Sequence, residues 1–86
     1  MEPERISFPT EYPIKVVARA APDLRALVDA AFSRHFGAIS AENVSARTSA
    51  NSNFVALTYV LVVQNEAQLH AVHTDLKLLD AVIMVL

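Results

Sequence analysis

Phe54-Val55-Ala56-Leu57-Thr58-Tyr59-Val60-Leu61-Val62-Val63 is dominated by β-branched and aromatic residues, and Thr58 is its only clearly polar one. That composition favours a strand. Successive side chains of a strand point to opposite sides, so Val55, Leu57, Tyr59 and Leu61 share one face, while Phe54, Ala56, Thr58, Val60 and Val62 share the other. A strand with one wet face alternates apolar and polar residues; here both faces are apolar. One can pack on a core, and the other needs separate cover.

Just upstream, Ser49-Ala50-Asn51-Ser52-Asn53 has turn composition, and Asn43 to Thr48 reads as a polar edge strand, which together predict a hairpin. Downstream, Asn65 suits a helix N-cap and Gln68 can complete a capping box. Leu69, Val72, Leu76 and Leu79 then recur at helical spacing. The chain closes on Val-Ile-Met-Val-Leu, which is too short and too β-branched for another helix. Towards the N-terminus, Tyr12, Ile14, Val16 and Ala18 alternate with Pro13, Lys15, Val17 and Arg19, the period of a half-buried strand. Pro22 to Phe36 follows as a helix with an apolar stripe of Leu24, Leu27, Val28, Ala31 and Phe32, stopped by Gly37, the only glycine in the chain. Residues 1–11 are read as a tail with Ile6 and Phe8 as its anchors, and residues 12–86 as a single domain.

The order βαββαβ with right-handed crossovers puts both helices on one face of a four-stranded antiparallel sheet, the ferredoxin-like plait of the α+β class. At 86 residues, such a domain buries only about 60 to 65% of its unfolded surface. Its mean hydropathy of +0.34 and 53% hydrophobic content are high for that size and point to apolar surface buried between chains. No stretch approaches the roughly 18 consecutive apolar residues of a membrane helix, and Met1 to Arg5 lacks the basic start and apolar core of a secretory signal. A cytoplasmic location is expected, and the absence of cysteine agrees with it. A net charge of -2 argues against nucleic acid as a partner.

Candidate chemistry is sparse. His70 and His73 lie one turn apart, but no third ligand stands at fixed spacing, so no metal is expected and a solvated helix face is the simpler explanation. His35 suits the C-terminal end of the first helix. Ser45, Ser49 and Ser52 lack a nucleophile elbow and read as hairpin serines. Without further glycine there is no phosphate loop or dinucleotide fingerprint, and no cofactor is expected. An RNA-binding plait would use Phe54 on its bare sheet face, but Tyr59 falls on the opposite side by parity and the chain is acidic. The turn Arg19-Ala20-Ala21-Pro22-Asp23 is the best local candidate for a small ligand, since free N–H groups at a helix start and the charge of Arg19 suit a carboxylate or phosphate.

With the residues laid out in this way, Phe8 to Leu86 resembles the YbeD-like family of small bacterial proteins of unknown function. The resemblance is carried by F-P-T-E-Y-P-I-K-V-V at Phe8 to Val17, A-x-P-D-L at Ala20 to Leu24, S-A-N-S-N-F at Ser49 to Phe54 and D-L-K-L-L-D-A-V-I-M-V-L at Asp75 to Leu86. It implies a ferredoxin-like fold similar to the ACT regulatory domain, a regulatory role linked in some members to lipoate metabolism, and no catalytic residues. ACT domains bind amino acids at the turn corresponding to Arg19, Ala20, Ala21 and Asp23. The family typically has glycine where Ala18 and Ser52 stand, and a basic residue where this chain has Ile83.

The sequence therefore leads to a non-enzymatic binding or regulatory module that forms a homo-oligomer, a dimer in the simplest case, or docks on a protein partner. Its expected partner face is Lys15, Val17, Phe54, Ala56, Thr58, Val60, Val62, Ile83 and Val85. The alternative is an ACT-like sensor of a small carboxylate at the Arg19 to Asp23 turn.

Overall fold

The computed structural model describes residues 7–86; the tail residue Ile6 lies outside them. The chain runs β1 (Thr10–Arg19), α1 (Leu24–Phe36), a 3-10 turn at Ala41–Asn43, β2 (Val44–Thr48), β3 (Phe54–Val63), α2 (Glu66–Lys77) and β4 (Val82–Val85). The strands form one antiparallel sheet in the order β2-β3-β1-β4. Both helices pack on the same face of it, as the ferredoxin-like reading requires.

β1 and β3 pair over ten residues each, from Thr10 opposite Val63 to Arg19 opposite Phe54. β1 thus opens two residues earlier than alternation alone indicates. Thr10 and Glu11, read from sequence as the end of a tail, are the first rungs of the ladder because Val63 and Val62 are there to receive them. α1 starts two residues later than expected, at Leu24, and Pro22 and Asp23 belong to the turn before it.

Beneath the helices, Ile14, Val16 and Ala18 of β1 and Leu57, Tyr59 and Leu61 of β3 meet Val28, Ala31 and Phe32 of α1 and Val72 and Leu76 of α2. Fully burying a Val, Leu, Ile or Phe side chain contributes roughly 1.5–3 kcal/mol, so this cluster sets the scale of stability against chain entropy. The Phe32 and Tyr59 rings stack with centroids 3.9 Å apart and 16° between their planes. Burial leaves the Tyr59 hydroxyl in need of an acceptor. It donates to the Asp29 carboxylate, which in turn accepts from Arg25 Nε at 3.1 and 3.2 Å. Burial first, and the bonded carboxylate second, push the Tyr59 phenol far above its ordinary range, so it stays a donor.

The helices are also joined at their ends. Asn65 caps α2 by accepting from the Gln68 N–H at 2.8 Å. The Gln68 side chain accepts from the N–H of Gln64, one residue beyond the position a capping box would use, and donates to the carbonyl of His35 at 2.7 Å. His35 Nε2 in turn donates to Asp75 at 2.5 Å, with Arg34 at 3.5 Å from the same carboxylate oxygen. The bond from His35, then the nearby charges of His35 and Arg34, hold the Asp75 carboxyl below its usual range despite some desolvation.

In the hairpin between β2 and β3, Ser52 has φ of 61°, a left-handed conformation that an L side chain adopts at a cost. The turn is held by Ser49 N–H to the Phe54 carbonyl at 2.9 Å and Phe54 N–H to the Ser49 hydroxyl at 3.1 Å. Ser52→Gly is therefore expected to stabilise the domain by about 0.5–1 kcal/mol, read as a raised urea midpoint; an unchanged or lowered midpoint would contradict the strain. A group whose folded pKa is depressed stabilises above its unfolded value, near 3.9, and loses that contribution as pH falls through the folded one. Wild type should hence lose its stability advantage over Asp75→Asn as pH drops below about 4, and equal acid limbs would count against the helix pin.

Candidate functional site

Among the described residues nothing covers the face of the sheet away from the helices, and the strand register orders its side chains into rows. Directly paired residues share a face, so Arg19 sits beside Phe54, Val17 beside Ala56, Lys15 beside Thr58, Pro13 beside Val60 and Glu11 beside Val62. On the outer side of β3, Arg47 joins Ala56 and Ser45 joins Thr58. On the outer side of β1, Met84 joins Val17, while Leu86 exchanges both backbone bonds with Lys15, at 2.8 and 3.1 Å.

The register places the expected face residues of β1 and β3 together: Lys15, Val17, Phe54, Ala56, Thr58, Val60 and Val62. It does so only in part for β4. A β-bulge between the rungs of Val17 and Ala18 admits one extra residue, so Val82 pairs with Ala18 and Val85 with Val16. Val85 therefore packs against the core on the helix side, and Met84 and Leu86 take the open face in its place. Ile83 is the extra residue in the bulge and is half exposed. The sequence reading missed Met84 and Leu86 because simple alternation in β4 carries no sign of the bulge; it missed Glu11 by starting β1 too late, and Arg47 by reading its strand only as a polar edge.

The exposure is substantial: Phe54 43%, Val62 53%, Met84 46% and Leu86 58%. A shallow cleft of about 250 Å³ opens over Ala56, bounded by Val17, Arg47 and Phe54. Among the described residues neither Lys15 nor Arg47 takes part in an ion pair.

At the turn expected to hold a ligand, a second cleft of about 270 Å³ lies between the start of α1 and β2. Ala20, Ala21, Pro22 and Arg25 line it from one side, and Ala46 and Thr48 from the other. Arg19 is turned elsewhere, since its guanidinium donates to the Asp80 carbonyl at 2.8 Å on the β4 side. The N–H of Ala20 is taken by the Asn53 carbonyl, and that of Leu24 by the carbonyl of Ala21. Asp23 precedes the helix without a side-chain capping bond. The cation beside this cleft is Arg25, which the sequence reading passed over because it stands inside the helix.

His70 and His73 line a pocket of about 200 Å³ with Tyr12, Glu66 and Leu69. Desolvation, with Lys77 and then His70 nearby, lowers the pKa of His73. Among the described residues no three His, Asp or Glu side chains gather where they could hold a metal ion. Ser49 serves the hairpin, as expected. No helix among the described residues is long and apolar enough to cross a membrane.

These elements define the class: a ferredoxin-like two-layer domain with one sheet face left open by the described residues. The chain belongs to the family described as Protein of unknown function (DUF493), whose model matches residues 3–86, in agreement with the YbeD-like resemblance. It is 36% identical over 87 residues to a UPF0250 protein of Ectopseudomonas mendocina, covering 100% of this chain and 95% of that one. A UPF0250 protein of Hahella chejuensis is 33% identical over 85 residues, covering 99% and 93%. Neither relative carries the name of an enzyme. The solution structure of protein HP0495 from H. pylori superposes with a TM-score of 0.74 at 16% identity, covering 99% of this chain and 89% of that one, which speaks for the fold alone.

Proposed function

We propose that the protein is a non-enzymatic binding module whose open sheet face is its partner surface. The observation that carries this reading is the exposure of Phe54, Val62, Met84 and Leu86 on one sheet face, with the half-buried Val17, Ala56 and Val60 between them, in a domain of this size. Monomers rarely leave so much contiguous apolar surface in water. A regulatory role follows naturally from such a module, because a surface without catalytic groups acts through what it holds.

The test is a photo-crosslinking amino acid in place of Val62, compared with the same group in place of the exposed Ala30 on α1, in cells that make the protein natively. Adducts are expected from position 62 and not from position 30. Equal yields from both positions, or none from either, would remove the open face as the partner surface.

A second reading is favoured by the cleft at the start of α1: a sensor of a small carboxylate, including carboxylates of lipoate metabolism, seated between Arg25 and β2. A ligand that binds only the folded state raises stability by about 2.7 kcal/mol at a hundred times its Kd. Amino acids and short-chain carboxylates at millimolar concentration should therefore raise the Tm. Arg25→Met should abolish the shift, and Arg19→Ala should leave it. If none of these compounds moves the Tm, the cleft is not a carboxylate site.

A further inference from the structure

We infer that the open face is occupied by a second copy of this chain, docked sheet to sheet about a two-fold axis that lies in the interface, runs across the strands and passes through the Thr58–Lys15 row. This inference rests on the reading of the open face as the partner surface and adds the identity and orientation of the partner. In order along the strands the rows are Phe54–Arg19, Ala56–Val17, Thr58–Lys15, Val60–Pro13 and Val62–Glu11. A two-fold across the strands keeps each strand over its own copy and reverses its direction. The first row then lies over the fifth and the second over the fourth.

Charge selects this orientation. Glu11 of each copy comes to lie over Arg19 of the other, giving two opposite-charge pairs, and Phe54 lies over Val62. Packed sheets are rotated by about 30°, and Arg19, which within the chain donates to the Asp80 carbonyl at 2.8 Å, must share or exchange that bond to reach Glu11 across the resulting sideways offset. An axis along β1 would set Glu11 over Glu11 and Arg19 over Arg19, and one between β1 and β3 would set these charges over Val62 and Phe54; the axis across the strands brings opposite charges together. A foreign acidic segment would satisfy Arg19 but oppose Glu11, whereas a second copy satisfies both.

Shape agrees with charge. Val60 of one copy lies over Ala56 of the other, where the cleft of about 250 Å³ makes the face lowest. Ten residues of strand span about 33 Å and neighbouring strands stand about 4.8 Å apart. The face therefore projects about 500 Å² before its relief is counted, against roughly 800 Å² of accessible surface per partner in a standard interface. That places the dimer at the small end of specific interfaces, where association in the micromolar range is expected. Two charges are unfavourable: Lys15, which meets its own copy at the axis and must lay its stem over Leu86 to carry its charge outward, and Arg47 beside Ala56, which must turn its charge to the edge of the face.

Sedimentation equilibrium on the full chain tests the arrangement, with circular dichroism confirming that each variant is folded. Wild type should form dimers in the micromolar range. E11R alone and R19E alone each put two like-charge pairs in the interface and should weaken association by about tenfold or more. Mixed one to one, the two variants should recover dimers of near wild-type affinity, since both corner pairs become opposite in sign. Lys15→Met should tighten association by about fivefold, a gain that follows from a lysine on the axis. A wild type that stays monomeric at several hundred micromolar, or variants that remain monomeric when mixed, would overturn the inference. If Val62→Lys dissociates a dimer that both charge variants leave intact, the face is the partner surface but this arrangement is wrong.

Discussion

Ten residues of β1 and ten of β3 pair without interruption, and nearly every other relation in the domain depends on that ladder. It places Ile14, Val16 and Ala18 beside Tyr59, Leu57 and Val55, and so builds the floor on which both helices rest. It equally places Glu11, Lys15 and Arg19 in line on the opposite side, at intervals of four residues. A slip of one residue would exchange the two faces, moving charge into the core. The fold and the open face are thus consequences of a single register.

The helices hold to that floor by few but specific contacts. Tyr59 stands out because it does three things from one position: it fills the core, stacks on Phe32, and sends its hydroxyl to the rim of α1, where Asp29 and Arg25 wait. At the other end of the helix layer, Gln68 and Asp75 of α2 hold the last turn of α1 through His35 and Arg34. A small domain has little core to spare, and directional bonds at both ends of the layer fix the helices where packing alone would leave play.

The elements could be read from the chain because their signals are local. The alternation from Tyr12, the stripe from Leu24 to Phe32, the turn residues Ser49 to Asn53 and the cap at Asn65 each depend only on near neighbours in sequence. What escaped reading depends on pairing between distant strands. Thr10 and Glu11 join β1 only because β3 is long enough to receive them. The bulge that turns Val85 inward exists only where β4 meets Val17 and Ala18. Arg25 reaches the cleft beside β2 only because the crossover sets the start of α1 there. The apolar excess of the open face was legible as an amount; its arrangement into rows was not.

The bulge has a consequence for how this chain can vary in length. β4 carries one residue more than its ladder with β1 requires, and Ile83 is that residue. Removing it would leave Val82 opposite Ala18, Met84 opposite Val17 and Val85 opposite Val16, an ordinary ladder with every inward side chain still inward. Losing Met84 instead would leave Ile83 opposite Val17, again with Val82 and Val85 inward. The strand therefore tolerates loss of one residue between Val82 and Val85, a free length in a sheet whose other strands are fixed by their neighbours.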